Sequence, residues 1–150
     1  MSDIEYVTSG IPQGSVLGPT LFVIFIIDLP DTIKTYIKIF ADDTKIFNAI
    51  KNSDDTVLLP EDINRLVEWS EKWQLPFNME KTKVLHFGRH NLEFDYQIGN
   101  NNITKDEVEK DLGITFDKNL TFKTHIASIC RKANSRLGMI KRNFTNDPKK

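Results

Sequence analysis

The sequence predicts an α+β fold with a largely antiparallel sheet, and three observations carry that reading. Prolines bracket the most apolar run, Leu21–Ile27, as they bracket a short helix. Two β-prone runs, 36–40 and 44–47, flank a short polar link, which is the pattern of a hairpin. Two later stretches, about 61–75 and 122–144, repeat apolar residues at helical spacing. Three or four short strands are expected between those two helices. Helices and hairpins in this order build an α+β domain.

The elements follow in chain order. Ser9-Gly10-Ile11-Pro12-Gln13-Gly14-Ser15 is dense in loop formers and reads as a tight turn. Pro19 suits a first helical turn, where its missing N–H costs nothing, so a buried helix over Leu21–Leu29 is expected, stopped by Pro30. Tyr36–Phe40 and Thr44–Phe47 form the hairpin, with Asp42 and Asp43 at or beside its turn. Pro60 leads into a helix over Glu61–Leu75, where Ile63, Leu66, Val67, Ser70 and Trp73 share a face, and Pro76 ends it. Lys83–Phe87 is a strand bounded by Gly88. Gly99-Asn100-Asn101-Asn102 marks a second hairpin, and Asp111–Phe116 a further strand. The last helix places Phe122, Ile126, Ile129, Cys130, Ala133, Leu137, Ile140 and Phe144 along one apolar stripe, with Cys130 expected in the core.

Composition narrows the class. A chain of 150 residues with 39% hydrophobic and 27% charged residues suits one globular domain. The net charge of −1 hides an asymmetry: from Lys123 onward there are eight Lys/Arg against one acid. A basic tail on an acidic body suits a polyanionic partner, or simply a solvated helix face. One cysteine allows no intrachain disulfide and fits a reducing compartment. Residues 1–14 lack the apolar core of a signal peptide, and no apolar run approaches the roughly 20 residues that span a bilayer. An intracellular protein, nuclear or cytoplasmic and not secreted, is expected.

Asp42-Asp43 is the sharpest chemical feature. Two carboxylates at one turn repel each other, and a hard divalent cation between them relieves that repulsion. Two such ions can clamp the attacking and leaving oxygens of a phosphoryl transfer. A solvent-exposed turn would also hold two aspartates, as Asp54-Asp55 does in a polar stretch of the same chain.

The surroundings add a resemblance. Phe40-Ala41-Asp42-Asp43 between two hydrophobic strands resembles the aromatic-x-Asp-Asp motif of reverse transcriptases. Upstream, Gly10-Ile11-Pro12-Gln13-Gly14 resembles the family's Pro-Gln-Gly segment. Downstream, Phe77-Asn78-Met79-Glu80-Lys81-Thr82-Lys83 resembles its next palm motif, and Asp111-Leu112-Gly113-Ile114 its primer-grip segment. The tail Lys132–Arg142 is similar to the stretch that enters the thumb. The closest likeness is to non-LTR retrotransposon enzymes of the jockey and CR1 kind.

The resemblance implies a palm over residues 1–121 and the start of a thumb over 122–150. It implies RNA-templated addition of deoxynucleotides to a DNA 3′ end, with Asp42 holding catalytic Mg²⁺ (or Mn²⁺) and Asp43 supporting it. Gln13 and Gly14 would border the incoming nucleotide. Lys81 or Lys83 would approach the leaving pyrophosphate, and Leu112 and Gly113 would position the primer end. Arg131, Lys132, Arg136, Lys141 and Arg142, with Lys149 and Lys150 beyond, would meet template or primer phosphates. The family also requires a third aspartate on a strand before the Pro-Gln-Gly loop, and fingers to hold the template. Only eight residues precede Ser9, so the chain is expected to be a palm portion that is inactive without the N-terminal half. The competing readings are a non-catalytic nucleic-acid-binding remnant and an inactive pseudogene product. His86 has no second His or Cys at ligand spacing, and Trp69 and Trp73, four apart on a helix, are expected to pack rather than stack on bases.

Overall fold

The computed structural model describes residues 14–88 and 90–144. In chain order the elements are helix α1 (Gly18–Phe25), strands β1 (Tyr36–Phe40) and β2 (Asp43–Phe47), helix α2 (Leu58–Trp73), strands β3 (Lys83–Leu85), β4 (Gln97–Ile98), β5 (Asn101–Asn102), β6 (Thr104–Asp106), β7 (Val108–Asp111) and β8 (Ile114–Asp117), and helix α3 (Lys123–Phe144). Leu29–Thr32 and Asp54–Thr56 are short 3-10 turns.

The architecture is α+β, but the expected antiparallel sheet is divided. Among the described residues the strands form four separate two-stranded sheets. One of them, β3 with β6, is parallel. A parallel pair needs a long connection, and the stretch between Leu85 and Thr104 is long enough to supply it. The chain folds as two compact units. One holds the described residues up to Phe77 with Gln97–Asn101; the other holds Asn78–Tyr96 with the described residues from Asn102.

The first unit is organised by α2. Its buried positions, Asp62, Ile63, Leu66, Trp69 and Ser70, fall on one face. Ile63, Leu66 and Ser70 are buried as the sequence predicts, whereas Val67 is half-buried and Trp73 is exposed. Leu66 and Trp69 pack with Ile26 and Leu29, and Phe22, Ile33, Ile37, Ile39, Ile46, Leu75 and Phe77 close around them. Each fully buried side chain of this kind contributes about 1.5–3 kcal/mol. Trp69 is 4% exposed and its Nε1 donates to Asp28 Oδ1 at 3.0 Å, so it packs as expected. The helix begins at Leu58, not Glu61, and takes Pro60 into its first turn. It ends at Gln74, whose left-handed φ of 54° stops it two residues before Pro76.

Helix α1 departs from expectation. It ends at Phe25, and Pro30 opens a 3-10 turn instead of stopping a helix. It is also not buried: Leu21, Val23, Ile24 and Phe25 are all exposed, as is Ile27 just beyond it. One side of this run meets α2, through Phe22 and Ile26 and through Phe25, whose ring lies edge-on to Trp69 and Trp73. Leu21, Val23, Ile24 and Ile27 stay exposed.

In the second unit, the expected single strand 111–116 is a hairpin. Val108 pairs with Asp117 and Asp111 with Ile114, which puts Leu112 and Gly113 at the turn. The Asp117 carboxylate organises the loop into α3: it accepts from the backbone N–H groups of Asn119, Thr121 and Phe122 and from the Thr121 hydroxyl. The Thr121 amide foremost holds this carboxyl below its usual range. Phe122 stacks edge-on against Phe116 at 5.6 Å, and His125 Nδ1 accepts from the Thr115 amide. Beyond that first turn α3 buries nothing. Cys130, expected in the core, is exposed, and so are Ile126, Ile129, Leu137, Ile140 and Phe144. The apolar stripe is present, but among the described residues no element packs along it.

Candidate active site

The Asp42-Asp43 pair sits where the sequence predicts. Strand register runs from Tyr36 opposite Phe47 to Phe40 opposite Asp43, leaving Ala41 and Asp42 as a two-residue turn. Ala41 alone of those two has a positive φ, 51°, the sign pattern of a type II′ turn. That turn matches the right-handed twist of the strands. A non-glycine residue there carries roughly 1–2 kcal/mol of backbone strain, and such strain tends to collect at functional turns.

Both carboxylates are exposed at this tip. Their hard oxygens suit Mg²⁺ or Mn²⁺ in kind. In number they fall short: among the described residues no group of three or more His, Cys, Asp or Glu side chains comes together. The hairpin's base is fixed by a residue that sequence reasoning missed. Asp62, on α2, is fully buried. It accepts from the backbone N–H groups of Lys34 at 3.0 Å and Thr35 at 2.7 Å, immediately before β1, and pairs with Arg65. Burial pushes its carboxyl up, but the Lys34 and Thr35 donors and Arg65 outweigh that and hold it below the usual range. An acid in a first helical turn reads as solvated, and only the fold shows it turned inward.

The other predicted residues divide. Gln13 lies outside the described residues, as do Lys149 and Lys150. Gly14 is exposed with φ +81°, a conformation that any side chain would strain. Lys83 is engaged: its Nζ lies 2.8 Å from Asp106 and 3.4 Å from Glu109. The hydrogen bond that it donates to Asp106 raises its pKa. Lys81 is exposed, on the turn that Asn78 closes by accepting the Lys81 and Thr82 amides. No ion pair holds Lys81 among the described residues. These lysines belong to the second unit and the aspartates to the first.

Leu112 and Gly113 both have positive φ, 44° and 87°, as a type I′ turn requires. Leu112 is 56% exposed, so its strain is not repaid by packing. Leu112→Asn is expected to raise the stability of the chain by about 1 kcal/mol, because Asn tolerates the left-handed region. The check is the urea midpoint, which rises; a lower midpoint would mean that the leucine packs more than its exposure indicates.

On α3, Ser128, Arg131, Lys132, Ser135 and Arg136 share one exposed side of the helix. Arg142 falls on the same side by helical spacing, while Lys141 lies elsewhere. No described helix is long and apolar enough to cross a membrane.

Comparison with known proteins agrees with these features. Residues 2–128 match the family model described as reverse transcriptase (RNA-dependent DNA polymerase). The chain is 33% identical over 138 residues to the RNA-directed DNA polymerase from mobile element jockey of Drosophila melanogaster, an alignment covering 85% of this chain and 15% of that protein. It is 30% identical over 148 residues to the corresponding protein of Drosophila funebris, covering 91% of this chain and 16% of that one. It is 30% identical over 149 residues to the probable RNA-directed DNA polymerase from transposon BS of Drosophila melanogaster, covering 89% and 16%. The chain therefore spans about 15% of the length of these relatives. No solved structure matches it at a significant level. With the Asp-Asp turn, the Pro-Gln-Gly segment and the Asn78–Lys83 turn all inside the matched residues, the chain belongs to the reverse transcriptase family.

Proposed function

We propose that the chain is the palm, with the start of the thumb from residue 122, of an RNA-directed DNA polymerase that works as part of a longer protein. The observation that carries this reading is the Asp42-Asp43 pair at the tip of a tight hairpin, within the matched region. Asp42 would hold a divalent ion, Mg²⁺ or Mn²⁺, with Asp43 in support and with further ligands from outside the described residues. When bound, that ion supplies charge stabilisation to the phosphoryl transfer. Gln13 and Gly14 would border the nucleotide, the glycine letting backbone approach it closely. Lys81 is the better of the two lysines for the leaving pyrophosphate, since Lys83 is held by Asp106 and Glu109. Leu112 and Gly113 would seat the primer end. An RNA template, a DNA primer and deoxynucleoside triphosphates are the partners, in a reducing, intracellular setting.

A Mn²⁺ titration of the chain tests the metal assignment. Two adjacent carboxylates should give weak binding, read as water-proton relaxation enhancement, and Asp42→Asn combined with Asp43→Asn should abolish it. Equal enhancement in both proteins would place the ion elsewhere.

A second reading, a non-catalytic nucleic-acid-binding remnant, draws on the basic side of α3. Arg131, Lys132 and Arg136 share one exposed side of the helix, and from there they would meet phosphates without reading bases. Binding should then fall steeply with salt. Changing all three to Gln should flatten the log–log salt slope by roughly two to three units if each contacts phosphate on duplex DNA. A slope unchanged in the triple variant would leave α3 as scaffold only. Retention of that binding without metal at Asp42 and Asp43 would favour the remnant over the enzyme.

A further inference from the structure

One side of α3 mixes hydroxyls with cations. Ser128, Arg131, Lys132, Ser135 and Arg136 lie together there, and Ser135 is exposed. Helical spacing sets the arrangement. Arg131, four residues before Ser135, and Lys132, three before it, fall one turn away and to either side of the serine. Arg136 follows directly. The helix Lys123–Phe144 contains no acid, so no carboxylate on α3 itself competes for these cations.

No other described hydroxyl matches this setting. Among the described residues, Ser135 alone of the serines and threonines has Lys or Arg at both the third and the fourth position before it. Ser128 has Thr124 and His125 at those positions. Thr121 follows Lys118 by three, but its hydroxyl donates to Asp117. Ser70 is buried and donates to the Leu75 carbonyl. The Ser135 stretch is also easy to open. Beyond its first turn α3 buries nothing, and a helix without tertiary support is marginal in water. Asn134, Ser135 and Gly138 are weak helix formers. Local unwinding that presents Ser135 as extended chain therefore disrupts little packing.

We propose that Ser135 is a phosphorylation site for a protein kinase with an acidic cleft, of the class that takes cations on both sides of its serine, and that the phosphate switches off the basic side of α3. Such kinases choose substrates by charge pattern, and Arg131, Lys132 and Arg136 supply one. The γ-phosphoryl group of ATP passes to Ser135 Oγ. The Oγ–P bond forms, the bond from the γ-phosphorus to its bridging oxygen breaks, ADP leaves, and the hydroxyl proton goes to the kinase's base. Phosphoserine carries about −1.5 to −2 charge at neutral pH. Set among three cations, it offsets about two of them and gives Arg131 and Lys132 an anion on their own helix in place of nucleic-acid phosphates. The switch rests on the nucleic-acid reading of α3; the modification does not.

The test uses the whole 150-residue chain, ATP with Mg²⁺, and the catalytic fragment of protein kinase C, an enzyme of that class. Mass spectrometry should find one phosphate, on Ser135. Arg131→Gln combined with Lys132→Gln should slow its uptake several-fold. On duplex DNA the phosphorylated chain should show a log–log salt slope flatter by about 1.8, two contacts at about 0.9 each. Ser135→Ala should take up no phosphate at that position and keep its slope after the same treatment. No phosphate at Ser135, uptake confined to Ser128 or to Thr145 (which lies outside the described residues), or uptake at Ser135 indifferent to the loss of Arg131 and Lys132 would overturn the site. Phosphate on Ser135 with an unchanged slope would overturn the switch. An untreated chain that does not bind duplex would sink the nucleic-acid reading of α3, and the switch with it, while uptake at Ser135 would still establish the modification.

Discussion

Asp62→Ala is expected to destabilise the chain by about 3–5 kcal/mol, a large share of the 5–15 kcal/mol that holds a typical domain. The carboxylate is fully buried and serves three donors at once: the Lys34 and Thr35 amides and the Arg65 guanidinium. Alanine leaves two backbone N–H groups without their acceptor, each carrying its own desolvation cost, and leaves Arg65 with Glu61 as its remaining carboxylate partner. Asp62→Asn keeps one acceptor oxygen and loses the charge pair, so its cost should fall between wild type and alanine. Urea unfolding followed by the fluorescence of Trp69 and Trp73 reads the effect, because both rings lie on α2 with Asp62. A midpoint shift of a few tenths of a kilocalorie would mean that water replaces the carboxylate at little cost.

The same residue sets a pH dependence. Its folded-state pKa lies below the ordinary value, so its contribution is fully present above about pH 4, the unfolded value. That contribution is lost as pH falls through the lower folded value. Acid should therefore unfold the wild type along a steeper stability curve than Asp62→Asn, and parallel curves would contradict the assignment.

What the sequence shows and what it hides divide along physical lines. The β1–β2 hairpin and α2 are legible because their patterns repeat over enough residues to leave one solution: alternation in 36–47 and helical spacing through Ile63, Leu66 and Ser70. Asp42 and Asp43 are legible because a motif fixes them at a turn. Asp62 is not, because an acid near a helix start looks solvated until Lys34 and Thr35 are seen beside it. Leu112-Gly113 reads as strand because leucine at positive φ is disfavoured, and only the pairing of Asp111 with Ile114 exposes the turn. The apolar stripes of α1 and α3 predict burial correctly as chemistry and wrongly as observation, since Leu21, Ile126 and Cys130 find no cover among the described residues.

The second large effect concerns chemistry. In a chimera where this chain replaces the aligned region of the jockey polymerase of Drosophila melanogaster, Asp42→Asn is expected to cut primer extension at least about a hundredfold, the scale on which single preorganised electrostatic groups act in charged transition states. Asparagine preserves the size and the turn but removes the negative oxygen that would hold the ion. Asp43→Asn should cost less, as a supporting ligand. Asp54→Asn, at an exposed 3-10 turn, provides the control and should leave extension unchanged. The most direct measurement is the rate of deoxynucleotide addition to a DNA primer on an RNA template by these chimeras. The unaltered chimera and Asp54→Asn should extend the primer, with near-complete loss in Asp42→Asn; an Asp42→Asn chimera that extends as fast as its parent would contradict a metal-holding role for Asp42.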